Sequence, residues 1–410
     1  MNTPWYYGWN IVGVTLIFQS VLFGSIIFSY TLWVGEWLGD PGLGLTLTYV
    51  MVPITILTLA QSVVAPFAGY AMDRYSIRVL VCMGTSSAGL GFILISQVAA
   101  FWQIILIYGT LIMAGTVFAG PLAAQTLAAK WFDSHRGLAM GVTTTGTSIG
   151  GVFMAPVVTL LYQSFGWRDA HWMLGACFIV VVPLVWFIVR SAPAELVIEA
   201  DSTSDGSQAS TDFRAKTWST SDVLKEKTFW IIVLSFLPLI TASGSIQQHL
   251  RPYADLLSIA SMQTAVLISV FSTVMIVGKL LFGILADRLD HRALFAMALL
   301  ACVIVLLGLI QEPSYSALVI LSGLLGFSAG GFLPLLGAMV ASRFGVASFG
   351  SVMGLLAPFL AASAFGPIIF ASLFELHGDY QLALWMALMI LLPGALAIYY
   401  LPSYRKEHKQ

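Results

Sequence analysis

The sequence predicts an all-α integral membrane protein, with about twelve transmembrane helices arranged as two pseudo-symmetric six-helix bundles. Three observations lead there. Hydrophobic residues make up 59% of the chain and charged ones only 9%, against roughly 25% charged in an ordinary soluble domain. Apolar stretches of about the 20 residues that one helical crossing needs recur along nearly the whole chain. The second half of the sequence also repeats the punctuation of the first.

Taken in order, apolar runs bounded by charges, Gly and Pro place the first six spans near Trp9–Trp33, Thr46–Met72, Val79–Val98, Trp102–Ala129, Gly137–Phe165 and His171–Val189. The second six fall near Phe229–Gln248, Met262–Ala286, Ala293–Ile310, Tyr315–Ser342, Gly350–Phe374 and Gln381–Leu401. No Lys or Arg precedes the first run and it lacks a small-residue cleavage site, so a retained span is expected rather than a signal peptide. Between the bundles, residues 191–227 exchange the apolar background for Ser, Thr, Asp and Lys, the composition of a hydrophilic linker. The expected division is therefore a bundle over 1–190, a cytoplasmic linker over 191–227 and a bundle over 228–410.

Basic residues orient the chain. With both termini in the cytoplasm, every Lys and Arg except Arg168, Arg251 and Lys279 falls in an inner loop or tail. The expected location is a plasma membrane, the inner membrane of a bacterium. Net charge is −1, so no basic footprint for nucleic acid exists. Cys82, Cys177 and Cys302 lie singly in apolar runs without metal-ligand spacing. No nucleotide loop or intramembrane acid–base pair accompanies them, so neither an enzyme nor a cofactor is expected.

The internal repeat is colinear. Gly69-x-x-x-Asp73-Arg74-x-x-x-Arg78 returns as Gly283-x-x-x-Asp287-Arg288-x-x-x-Arg292, each at the end of the second span of its half. Pro121 and Pro334, Phe132 and Phe344, Met140-Gly141 and Met353-Gly354, and Trp172-Met173 and Trp385-Met386 follow at nearly the same offset.

The doubled Gly-x-x-x-Asp-Arg-x-x-x-Arg resembles the loop signature of the major facilitator superfamily, and the resemblance covers essentially the whole chain. It implies two six-helix halves that rock about a substrate site near the midplane. Other motifs are similar to those of the monocarboxylate transporter branch and its oxalate/formate-antiporter-like relatives. They are Tyr6-Tyr7-Gly8-Trp9, Trp131-Phe132 through Arg136-Gly137-Leu138-Ala139-Met140-Gly141, Gly166-Trp167-Arg168, and His249-Leu250-Arg251-Pro252-Tyr253-Ala254.

Lys279 stands out among single residues. Eight positions before Asp287, it lies roughly 12 Å inside the inner boundary, where burying a charge costs at least ~2.5 kcal/mol. Snorkelling to the headgroups is the structural alternative. Its first-half counterpart is Ala65, so the charge is no part of the shared scaffold. The resemblance implies a carboxylate-binding role, since the monocarboxylate branch keeps an Arg there. Where mammalian-type members keep a proton-accepting Asp one turn earlier, this chain has Met275.

His249, after Ser243, Ser245, Gln247 and Gln248, is the candidate proton carrier, an imidazole being able to titrate near neutrality. Gln247, His249 and Thr145 join Lys279 as expected substrate contacts; a wet interfacial His and hydroxyls bonded to their own helix are the plainer readings. Asp73, Arg74, Arg78, Asp287, Arg288 and Arg292 serve as positive-inside anchors, and the resemblance implies that they also clamp helices in one facing state. The expected function is secondary transport of a small organic anion, a short-chain monocarboxylate such as lactate, by alternating access with proton symport. Alternatives are exchange of the oxalate/formate type and carriage of an uncharged or zwitterionic solute. The expected partners are that anion, a proton or counter-anion, and the bilayer, and a monomer is expected to suffice.

Overall fold

The computed structural model describes residues 7–132, 136–190, 218–286, 288–345 and 348–401, without the side chains at 73, 129, 136–141 and 350. Among these residues there is helix and connecting turn but no strand. Eleven helices are long and apolar enough to cross a membrane. One of them, Arg136–Ile188, is broken by Gly166 at φ 83° and ψ 162°, a combination essentially reserved for glycine. It therefore comprises two crossings, and twelve result.

We number them α1 (Gly8–Phe28), α2 (Leu47–Met72), α3 (Ile77–Ile95), α4 (Phe101–Ala128), α5 (136–165), α6 (167–188), α7 (Lys227–Gln248), α8 (Ser261–Ala286), α9 (His291–Ile310), α10 (Tyr315–Phe344), α11 (Ser351–His377) and α12 (Gln381–Tyr399). The first six form one half and the last six the other. The end of the bundle with the α2–α3 and α8–α9 turns is called the Arg74 end, and the opposite end the Asp40 end.

Helix is the only open conformation that satisfies every backbone N–H and C=O without water, so apolar runs of this length take it. Prolines lie inside α2, α4, α5, α6, α7, α10, α11 and α12, tolerated in membrane helices because neighbouring groups re-satisfy the freed backbone. Small residues set how closely helices approach. A Cβ on Gly326 of α10 would run into the Phe271 carbonyl of α8, and one on Gly150 of α5 into the Ser20 carbonyl of α1.

Two of the sequence motifs prove to be one cluster at the Arg74 end. The Tyr7 ring lies 5.4 Å from that of Trp131, and the Trp9 ring 5.1 Å from that of Phe132. Tyr7 donates from its hydroxyl to the Ile188 carbonyl at 2.8 Å, and Trp131 from its indole N–H to the Arg190 carbonyl at 2.8 Å. The start of α1, the end of α4 and the end of α6 are thus pinned together. At the Asp40 end, the Gly166-Trp167-Arg168 turn reaches back to the α1–α2 loop: Trp167 and Arg168 both donate to Asp40 Oδ2, at 3.0 and 2.6 Å.

The expected linker ends in structure. Ser219 caps a short helix, Thr220–Lys225, by accepting from the Asp222 N–H. Trp218 donates from its backbone to Ser348 Oγ at 2.9 Å and stacks edge-on against Phe344. Positions 191–217, including the Ser202–Thr211 stretch, lie outside the described residues.

Candidate functional site

The two halves meet along α5 and α8, and Lys279 stands at that seam. It is half-buried, seven residues before the end of α8, hence about 10 Å inside that end at 1.5 Å per residue. Its ammonium does not turn outward to headgroups. It donates across to α5: to Ser148 Oγ at 2.8 Å, Thr147 Oγ1 at 3.0 Å and the Thr144 carbonyl at 3.3 Å. Positions 144, 147, 148 and 151 share one face of a helix, and the next member, Gly151, admits Ser272 of α8: a Cβ there would meet Ser272 Oγ and the Phe28 ring.

All three ammonium protons thus have acceptors. Hydrogen bonds to a charged group contribute about 1.5–3 kcal/mol each, enough to offset the few kcal/mol that a lysine costs at this depth. The acceptors are nevertheless all neutral. Among the described residues no carboxylate lies within ion-pair distance of Lys279, so one positive charge at the interface between halves is solvated but not neutralised.

The other expected contacts are not brought to this place. Thr145 donates to its own helix at Val142, 2.7 Å away. His249 sits at the Asp40 end, buried at 2% exposure, its Nε2 facing the Pro367 carbonyl at 2.8 Å and its Nδ1 the Tyr380 hydroxyl at 2.8 Å. A carbonyl only accepts, so Nε2 carries the proton and Tyr380 donates to Nδ1. Gln247 stands half-buried beside it.

Of the six residues expected to gate, Asp287 and the Asp73 side chain lie outside the described residues. Arg74 lies over Tyr70 at 4.5 Å and Arg78 over Trp186 at 3.9 Å, while Arg292 pairs with Asp290 at 3.0 Å and Arg288 is exposed.

Further ties between halves cluster at the Asp40 end. The Arg251 N–H donates to Thr31 Oγ1 at 2.8 Å, the Thr48 N–H to Glu375 Oε1 at 2.7 Å, and Thr55 Oγ1 to the Ala364 carbonyl at 2.8 Å, with Thr48 and Ser372 hydroxyls 3.3 Å apart. Midway along the seam, Ser269 donates to the Val152 carbonyl at 2.7 Å. Lys279 adds a tie between halves on the Arg74 side of these contacts.

The sequence motifs point to Thr145 on this helix but not to Thr144, Thr147 or Ser148, which meet the ammonium. The signal for these α5 residues lies in the three- and four-residue spacing that puts Thr144, Thr147, Ser148 and Gly151 on one face; what faces them, Ser272 of α8 included, requires the tertiary structure.

This arrangement, twelve crossing helices in two halves with Lys279 the cation at the seam without a carboxylate partner among the described residues, is that of an integral membrane transporter built from a tandem repeat. The chain belongs to the Major Facilitator Superfamily, whose profile matches residues 6–310 and again 246–410. Similar curated proteins include the uncharacterized MFS-type transporter YcxA of Bacillus subtilis, 24% identical over 320 residues that span 75% of this chain and 74% of that one. Monocarboxylate transporter 12 of Mus musculus is 27% identical over 349 residues, 78% of this chain and 70% of that one. Among solved structures, a bacterial homolog of the human lysosomal transporter Spinster, crystallised inward-facing and unoccupied, superposes with a TM-score of 0.73 over 98% of both chains at 12% identity.

Proposed function

We propose that the protein is a secondary carrier for a small organic anion, a short-chain monocarboxylate, working by alternating access with both termini in the cytoplasm of a plasma membrane. One observation carries this reading: the Lys279 ammonium, at hydrocarbon depth on the interface between halves, is met by three neutral oxygens and, among the described residues, by no carboxylate. A cation so placed attracts an anion far more strongly than it would in water, and the anion offsets the cost of its burial. Similarity to proteins named monocarboxylate transporter supports the same substrate class. The Arg74 end would face the cytoplasm, so the ties at the Asp40 end would close the outer side.

Coupling would be to a proton. His249 suits either protonation state, because the Tyr380 hydroxyl can donate to the neutral ring or accept from the charged one. Its engagement on both nitrogens, with Met275 rather than an acid one turn before Lys279, favours anion exchange as the second reading.

Uptake of labelled pyruvate, lactate and acetate into proteoliposomes, with and without a pH gradient, tests both. Gradient-driven accumulation supports symport, whereas uptake that requires internal carboxylate and ignores the gradient supports exchange. If none of the three is taken up under either regime, the anion reading fails.

A further inference from the structure

The seam that holds Lys279 contains a second feature that the anion reading does not use. Ser272 of α8 is fully buried, and its hydroxyl has no hydrogen-bond partner. A buried hydroxyl without a partner costs free energy that a serine at an apolar contact does not justify, since alanine would fill the space without it. Ser272 also occupies its position by virtue of a missing methyl on the facing helix, for a Cβ on Gly151 would meet its Oγ.

Seven residues separate Ser272 from Lys279, so the two share one face of α8, about 10 Å apart along the axis. Lysine side chains in helices lean toward the helix N-terminus, which for α8 is the direction of Ser272. The contacts on α5 confirm the approach: Lys279 Nζ is 2.8 Å from Ser148 Oγ, and Ser272 faces Gly151, three residues on. Along α5 the two positions differ by a rise of only about 4.5 Å, so one carboxylate between the halves can be reached from both.

Ser148 completes the set. It is fully buried and accepts from Lys279; an oxygen used as an acceptor still carries a proton to donate. Thr147 differs, because its hydroxyl already donates to the Thr144 carbonyl at 2.9 Å.

Resting on the anion-carrier reading, we infer that the substrate carboxylate is held in the α5–α8 seam by donors from both halves: the Lys279 ammonium and Ser272 hydroxyl of the C-terminal half, and the Ser148 hydroxyl of the N-terminal half. Lys279 gives up its longest contact, to the Thr144 carbonyl at 3.3 Å, in exchange for a carboxylate oxygen. Ser148 and Ser272 turn their protons onto the anion. Binding thereby converts a direct tie between halves into one that runs through the ligand, so the occupancy of the seam and the rocking of the halves are linked.

The experiment measures equilibrium binding of labelled pyruvate, lactate and acetate to the full chain in lipid nanodiscs. Ser272→Ala is the decisive variant, because the Ser272 hydroxyl makes no hydrogen bond to the Lys279 network and the substitution removes that one oxygen. Affinity for the best-bound probe is expected to fall about tenfold in Ser272→Ala and again in Ser148→Ala, and to return in Ser272→Thr, which restores the hydroxyl. If Ser272→Ala and the double variant bind within twofold of the native chain while Lys279→Ala loses binding, the serines are outside the subsite and this inference is overturned, with the role of Lys279 intact. If the native chain binds no probe saturably, the anion reading falls and this inference with it.

Discussion

At the scale of the residue, the proposed chemistry rests on one charge. Lys279 has no equivalent in the first half, where Ala65 takes its place, and its three bonds all cross to the opposite half. Lys279→Ala is expected to lower carboxylate affinity at least a hundredfold, while Lys279→Arg keeps part of it, because the charge survives although the guanidinium cannot reproduce the three-point fit. Normal affinity in Lys279→Ala, measured by equilibrium binding, would remove the assignment. His249 makes the opposite case. Its two bonds to Tyr380 and Pro367 hold α7, α11 and the start of α12 together. His249→Gln keeps a donor and an acceptor but cannot titrate, so gradient-driven accumulation should fall while exchange persists if it carries the coupling proton. Accumulation unchanged by the substitution would transfer that role elsewhere. Lys279 was conspicuous in the sequence because charge at depth is rare for energetic reasons. The hydroxyls that meet it were not, because Thr and Ser inside helices satisfy themselves on the preceding turn as readily as they serve a neighbour, as Thr145 does.

At the scale of the element, two contacts show what the motifs are for. The Gly166-Trp167-Arg168 turn grips Asp40, and the Arg168 hydrogen bond above all, helped by the Gly42 and Trp167 N–H groups, holds the Asp40 carboxyl below its ordinary range. A depressed pKa stabilises the fold above the unfolded value and loses that contribution as pH falls through the folded one. The melting temperature of Asp40→Asn should therefore lie below native at neutral pH, and the gap should close on acidification below the usual carboxylate range. A gap that is constant with pH would mean the contact is not electrostatic. The α8–α10 contact depends on Gly326 instead. Its Cβ would strike the Phe271 carbonyl, which belongs to backbone and cannot rotate away, so Gly326→Ala should cost about 1–3 kcal/mol. Thermal unfolding in detergent reads this, and an unshifted midpoint would show that the helices separate easily.

For the whole molecule, the question is which end is closed. Ties between halves at the Asp40 end include the Thr48 and Ser372 hydroxyls at 3.3 Å, near enough for paired cysteines to bridge after small adjustment. Oxidised Thr48→Cys/Ser372→Cys should lock that end, stop transport and recover on reduction; full transport while cross-linked would show that this end need not open. The orientation has its own check. Protease should reach residues 202–211 in inside-out vesicles and not in right-side-out ones, and the reverse pattern would invert the proposed topology.

The sequence by itself determined the membrane class, the number of crossings, the two-half repeat and the singular position of Lys279. These follow from quantities local to the chain: the length of apolar runs, the cost of a buried charge and the colinearity of short motifs. The α5–α6 boundary was legible too, in the Gly166-Trp167-Arg168 turn between two apolar runs, and the structure breaks the helix at Gly166 in a conformation essentially reserved for glycine. Only the tertiary structure decided what each motif touches. Tyr7 and Trp131, Asp40 and Arg168, and Lys279 and Ser148 lie more than a hundred residues apart along the chain. Their meeting is set by how twelve helices pack, and packing among helices of nearly uniform hydrophobicity depends on which small residues let two backbones approach, a matter of shape in three dimensions.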